Sequence, residues 1–300
     1  MTEPTSRPIP WLPLAGAVAL GGAALAAYLI EAGRRGASEL LRPSPGQPLE
    51  DPAHYGLEAE VVRVPTADGL SLGAWYVPAA APTDRAIALF HGHSAARSQL
   101  LRYARFLHPH FNCLLVDFRG CGDSEGAHSS MGYFEADDVE AGVAWLQTRG
   151  MRRIGALGLS MGGAAVIRAA ARNPAIHAVV TDGTFDRVGH VIAKRAGDRG
   201  YPFPRLVARS VTREADRCLG ARLGASDPVD LIASIAPRPV LIVHGEADTT
   251  SPVANARRLY AAAHEPKELL VVPGAAHGDC WATAPLAYER RVGGFFRRHL

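Results

Sequence analysis

The sequence predicts an α/β protein built on a mostly parallel, doubly wound sheet. Three observations lead there. Short runs of aliphatic and β-branched residues recur along the chain, they are apolar throughout as strands covered on both faces are, and longer helix-compatible stretches separate them. The composition can fill such a core, because 300 residues that are 48% hydrophobic and 20% charged exclude a disordered or collagen-like chain. Neither disulfides nor a structural metal is needed for stability.

At the N-terminus no charged residue occurs from Pro8 to Ile30, and the run WLPLAGAVALGGAALAAYLI begins at Trp11. A helix of this length covers about 30 Å, the thickness of a bilayer's hydrocarbon core. A retained signal anchor is therefore expected. A cleaved signal peptide, for which Ala24-Leu25-Ala26 offers a small-residue site, has an apolar region of only about 7–15 residues, and a buried soluble helix is the third reading. Trp11 and Tyr28 stand where interfacial aromatics belong, and Arg34, Arg35 and Arg42 outnumber Arg7, which favours a cytoplasmic C-terminal domain. Pro43, Pro45, Pro48, Pro52 and Gly46 then make residues 36–56 a linker. The expected organisation is an anchor over 1–35, a linker over 36–56 and one domain over 57–300.

Within that domain, residues 59–64 and 70–77 flank Ala67-Asp68-Gly69 and read as a hairpin. Strands follow at 86–92, 112–120, 153–160, 178–183, 239–248 and 268–274, with helices near 96–108, 133–149, 162–172, 252–263 and 284–298. Ligands of such sheets bind at the carboxyl ends of the strands.

Gly158-Leu159-Ser160-Met161-Gly162 lies at one of those ends, between a strand and a small-residue helix. Glycines on both sides of the serine permit a turn tight enough to expose its hydroxyl above the sheet. A second match to the pattern, Gly122-Asp123-Ser124-Glu125-Gly126, is not followed directly by a helix, so Ser124 reads as a turn residue and Ser160 as the nucleophile. A serine needs a general base, oriented in turn by a carboxylate. In the chain order serine, acid, histidine, the base is His277, on the loop PGAAHGD after the last strand. His264 and His299 fall in helical, exposed stretches, and His244 lies inside a strand. Asp248 closes the strand PVLIVHGEAD and is the expected acid, with Asp182 and then Glu246 as competing carboxylates. The oxyanion of an acyl-transfer reaction also needs two N–H donors. Met161 supplies one, and His93, in the turn Phe90-His91-Gly92-His93-Ser94, supplies the other, with Ser94 second.

Together the segments HGHSAARS, DFRGCGDSEG, GLSMGG, PRPVLIVHGEAD and PGAAHGD resemble those of the alpha/beta-hydrolase family over residues 58–300. The likeness is greatest to its membrane-anchored, depalmitoylase-like and serine aminopeptidase-like branches. The resemblance implies the alpha/beta-hydrolase fold, a Ser160–Asp248–His277 triad with His93 and Met161 as oxyanion donors, and structural roles for Asp117 and Arg119. It also implies that residues 184–236, longer than a plain crossover, form a helical lid that sets substrate choice.

The function expected is cleavage of an ester, thioester or amide through an acyl-enzyme, on acyl or lipid-like substrates at the membrane. A serine peptidase acting on small peptides and a non-catalytic binding protein of the same fold are the alternatives. No metal or organic cofactor is called for. With 32 Lys+Arg against 29 Asp+Glu, the net charge of +3 argues against a nucleic-acid partner. Cys113, Cys121, Cys218 and Cys280 lack the spacing of a zinc or redox site and read as free thiols.

Overall fold

The computed structural model describes residues 11–42 and 50–300, with side chains from residue 21 onward except that of residue 226. The strands are β1 (Glu60–Pro65), β2 (Ser71–Val77), β3 (Arg85–Phe90), β4 (Asn112–Val116), β5 (Arg153–Leu159), β6 (Ile176–Asp182), β7 (Val240–Gly245) and β8 (Lys267–Val272). The helices are α1 (Trp11–Leu41), α2 (Leu101–Leu107), α3 (Glu135–Thr148), α4 (Met161–Arg172), α5 (Val188–Asp198), α6 (Pro204–Leu219), α7 (Pro228–Leu231), α8 (Ala254–Ala262), α9 (Cys280–Thr283) and α10 (Pro285–His299). All the strands join one sheet in the order β1-β2-β4-β3-β5-β6-β7-β8. The β1–β2 and β2–β4 pairs are antiparallel, and β3 to β8 run parallel. Each strand falls on a run read from the sequence, and β1, at the sheet edge, is the one that alternates exposed and buried residues.

The unbroken apolarity of those runs has a direct cause. In β3, Ala86, Ala88 and Phe90 face one core and Ile87 and Leu89 the other, all fully buried. Helices α3, α4 and α8 cover the first face, while α2 and α10 cover the second with Leu101, Tyr103, Tyr288, Phe295 and Phe296. Helices α5, α6 and α7 occupy the 184–236 insertion between β6 and β7.

The N-terminal region departs from expectation. Helix α1 does not end at residue 35 but continues to Leu41, through the first part of the expected linker. Ala37, Leu40 and Leu41 recur at helical spacing and are 1%, 5% and 5% exposed. Burying each leucine is worth about 1.5–3 kcal/mol. Gly33 and Gly36 bring α1 close against α6: a Cβ on Gly36 would stand 2.5 Å from Val211 Cγ2, and one on Gly33 2.5 Å from Ser210 Oγ. Ser210 donates to the Leu29 carbonyl at 2.6 Å, and Tyr28, expected at a membrane interface, donates to the Pro202 carbonyl at 3.2 Å. Among the described residues no helix is long and apolar enough to cross a membrane, so the single-pass anchor finds no support there. Residues 1–10 and the side chains of 11–20, part of the expected anchor, and residues 43–49 of the expected linker lie outside the described residues.

Candidate active site

The site begins where β5 turns into α4. Ser160 occupies the turn with φ 50° and ψ −112°, a sparsely populated conformation for a residue with a side chain. Its N–H donates to the Asp182 carbonyl at 2.7 Å, tying the turn to the end of β6. The flanking glycines are required by contact, not by composition. A Cβ on Gly158 would lie 2.3 Å from the Gly162 backbone, and one on Gly162 would lie 2.6 Å from the carbonyls of Phe90 and His91.

His277, on the loop after β8, places Nε2 3.1 Å from Ser160 Oγ and Nδ1 2.6 Å from Asp248 Oδ2. An ionised carboxylate only accepts, so Nδ1 carries the proton and Nε2 is left as an acceptor facing the serine hydroxyl. Two backbone bonds join the acid loop to the β8 side: the Glu246 N–H donates to the Val272 carbonyl at 3.0 Å, and the Ala247 N–H to the Ala275 carbonyl at 2.9 Å.

The Asp248 side chain is fully buried. Its Oδ1 accepts from the Thr250 and Ser251 N–H groups at 2.9 and 2.7 Å, while Oδ2 faces His277 and, at 3.4 Å, His244 Nε2. Burial alone would raise its pKa. Bonds from His244, His277 and the Ser251 N–H outweigh it and hold the carboxyl well below the usual carboxylate range. Buried His244 also lies 2.5 Å from the Ser251 carbonyl, which fixes its Nε2 as a donor.

The competing candidates go elsewhere. Asp182 is buried and accepts from Tyr288 at 3.0 Å, and burial pushes its pKa up. Glu246 accepts from the Gly274 N–H at 3.3 Å. His264 is exposed, and His299 packs its ring 4.8 Å from that of Phe295. Ser124 donates to the Asp117 carbonyl at 2.7 Å and accepts from the Gly73 N–H at 2.9 Å, as a turn residue does. Asp117 and Arg119 are buried in ion pairs with Arg97 and Asp138.

Two turns flank the serine hydroxyl. Met161 opens α4, so its N–H has no intrahelical acceptor. The turn holding His93 is braced at three points. Buried His91 sets Nδ1 2.7 Å from the Gly92 carbonyl and accepts the Phe118 N–H at 3.0 Å, and burial lowers its pKa. The Gly92 N–H donates to Gln99 at 3.0 Å. The His93 ring reaches the Leu40 carbonyl of α1 at 3.2 Å. Burial lowers the His93 pKa as well, against the opposing bond to Leu40.

Several parts of this site escaped the sequence reading. Gly183 backs the histidine: with φ +67°, a Cβ there would lie 3.4 Å from His277 Cε1 and 3.8 Å from Asp248 Oδ2. The end of α1 borders a cavity of about 1200 Å³ whose other walls are α5 and α6 and whose floor includes His93, Ser94 and Thr250. The spacing of Gly33, Gly36, Ala37 and Leu40 is the sequence signal for the continuation of α1 past residue 35, against the prolines that follow. Among the described residues no group of three or more His, Cys, Asp or Glu side chains could hold a metal ion.

Residues 87–291 match the model of the alpha/beta hydrolase family. The uncharacterized protein YfhR of Escherichia coli (strain K12) is 29% identical over 252 residues, covering 81% of this chain and 79% of that one. The uncharacterized protein Rv2307c of Mycobacterium tuberculosis is 32% identical over 223 residues, 73% of this chain and 72% of that one. The solved Pyrococcus furiosus esterase Pf2001 superposes with a TM-score of 0.72 at 24% identity, over 87% of this chain and 98% of that one, a likeness of fold.

Proposed function

Because the chain belongs to the alpha/beta hydrolase family, we propose that it is a serine hydrolase cleaving a carboxylic ester or thioester through an acyl-enzyme, with Ser160, His277 and Asp248 as its triad. The observation that carries this reading is the hydrogen-bonded row from Ser160 Oγ through His277, at 3.1 and 2.6 Å, to a carboxylate excluded from solvent.

In this mechanism Ser160 Oγ attacks the carbonyl carbon while its proton passes to His277 Nε2. Asp248 holds the ring in place and stabilises the imidazolium that forms. The carbonyl π pair moves onto oxygen, where the N–H groups of Met161 and His93 receive the developing charge. Collapse of the adduct breaks the C–O or C–S bond, and the leaving group takes the proton from His277. Water then attacks the acyl-enzyme by the same proton route, releasing the acid and restoring the hydroxyl.

The cavity favours an acyl chain, because Leu40, Ile192, Val207 and Val211 form apolar parts of its wall. A peptide α-amine would need a free carboxylate, and both that line the cavity are taken: Glu39 pairs with Arg199 and Asp198 with Lys194.

The test is labelling by a fluorophosphonate probe together with hydrolysis of a p-nitrophenyl ester. Ser160→Ala is expected to abolish labelling and lower kcat by several orders of magnitude, and adding His277→Ala should cost little more, since the pair acts as a unit. A Ser160→Ala protein that labels as strongly as wild type overturns the proposal.

A further inference from the structure

The charged groups around the cavity are unequally occupied. Arg199 is paired with Glu39 at 2.5 Å, and Arg35 with Glu31 at 2.5 Å. Asp198 is taken by Lys194. Arg34 and Arg42 are exposed to solvent. Arg195, on α5, differs from all of these. Its side chain lines the cavity and is only partly exposed, yet no hydrogen bond or ion pair joins its guanidinium to any described residue.

Such an arrangement has a cost. Guanidinium remains charged and offers five donors, and a desolvated cation without a counter-ion is unfavourable unless something binds it. Burial and the like charge of Arg199 both press on Arg195, and only Glu39, already engaged, opposes them. The floor of the same cavity is the turn of His93 and Ser94 and the Thr250 segment, the two loops that border the serine and the acid. A ligand held by Arg195 would therefore lie against the loops next to the serine and the acid, although Ser160 and His277 do not themselves line the cavity.

We infer that Arg195 is a specificity-determining residue, receiving an oxyanion group, carboxylate or phosphate, carried by the ester this enzyme cleaves. The planar fork of guanidinium fits both groups in bidentate fashion, and partial burial strengthens the pair relative to one in water. The inference rests on the hydrolase reading above and narrows its substrate class to anionic esters with an apolar chain.

Three p-nitrophenyl esters test it: the hexanoate, the mono-adipate with the same six-carbon acyl chain ending in carboxylate, and the analogue ending in phosphate. Each is measured with wild type, Arg195→Gln, Arg195→Lys and a Ser160→Ala blank, and folding is checked by thermal melting. Wild type is expected to favour one charged ester over the hexanoate by about ten-fold or more in kcat/KM, and which one is favoured separates carboxylate from phosphate. In Arg195→Gln that ratio collapses toward one, through KM and not kcat, as loss of uniform binding does. Arg195→Lys keeps part of it. If wild type prefers neither charged ester, or Arg195→Gln keeps the full preference, the inference is overturned while the hydrolase reading stands. If Ser160→Ala cleaves all three as wild type does, the hydrolase reading itself fails.

Discussion

Replacing Asp248 by asparagine leaves the number of heavy atoms in the site unchanged, yet the surrounding donors dictate how the amide must lie. At the Oδ1 position two backbone N–H groups arrive, from Thr250 at 2.9 Å and Ser251 at 2.7 Å. An NH2 group cannot sit there, so the amide oxygen does. The NH2 then takes the place of Oδ2, 2.6 Å from His277 Nδ1. His277 can accept there only with its proton moved to Nε2, which faces Ser160 Oγ at 3.1 Å. The base thereby becomes a donor to the hydroxyl it must deprotonate. Loss of the correct tautomer costs about 10⁴ in kcat, or about 5 kcal/mol of transition-state stabilisation. The new NH2 also meets His244 Nε2 at 3.4 Å, donor against donor, so stability falls too, by about 1–3 kcal/mol. The assay is steady-state hydrolysis of a p-nitrophenyl ester with a parallel denaturation curve. The pH dependence has a definite sign. The folded carboxyl titrates below its ordinary 3.8, so its contribution is intact above about pH 4 and is lost as pH falls further. The stability gap between wild type and Asp248→Asn should be flat near neutrality and close only in that acid range. A variant within ten-fold of wild type in kcat would refute the reasoning. So would a kcat collapse in Asp182→Asn with Asp248→Asn still active, since the acid would then be Asp182.

Ser124→Ala should melt earlier, by about 1–3 kcal/mol for its two lost hydrogen bonds, while fluorophosphonate labelling persists; loss of labelling in a folded protein would contradict its assignment as a turn residue. Gly183→Ala places a side chain at φ +67° against the His277 ring, so about 1–2 kcal/mol of backbone strain should accompany a lower kcat. A variant with unchanged kcat and melting temperature would show that Gly183 does not back the ring. Burial holds the His91 pKa in the fold below its ordinary 6.5, so as pH falls the unfolded chain takes up a proton first. Wild-type stability should therefore fall with pH below that value by up to about 1.4 kcal/mol per pH unit. His91→Asn should show a shallower slope in urea denaturation at about pH 5.5 and 7.5, and an equal slope would refute this.

Strands β2 to β7 were legible because burial on both faces forces unbroken apolar runs, whereas β1 and β8 at the sheet edges are only partly buried; the turn at Ser160 was legible because one so tight needs glycine where Gly158 and Gly162 stand. Local sequence also separated the two G-x-S-x-G copies, since only one is followed directly by a helix. What stayed hidden depends on contacts distant in the chain. Nothing near Arg195 marks it as unpaired; that follows from Glu39, far away in sequence, being taken by Arg199 instead. The continuation of α1 past residue 35 stayed hidden for a related reason. The close approach of Gly33 and Gly36 to α6, which holds that part of the helix against the domain, appears only in three dimensions.

That close approach bears on the chemistry through the end of α1. The last carbonyls of a helix lack intrahelical donors and must be satisfied from outside. Here the Leu40 carbonyl meets the His93 ring at 3.2 Å, and the Leu41 carbonyl accepts the Ser129 N–H at 2.8 Å. Ser129 in turn donates to buried Glu135 at 3.0 Å and lies 3.4 Å from Met161 Sδ. The end of one helix therefore braces both segments that carry the proposed oxyanion donors. The same helix, from Ala32 to Leu40, lines the cavity that Arg195 also lines, and it is joined to the inserted segment by the Glu39–Arg199 pair and the Ser210–Leu29 bond. A rearrangement of the insert large enough to reshape the cavity would pull on Leu40, and through it on His93. In the proposed mechanism, cavity shape and oxyanion geometry are thus joined through one helix, so substitutions at the α1–α6 contact should alter kcat as well as KM although they touch none of Ser160, His277 and Asp248.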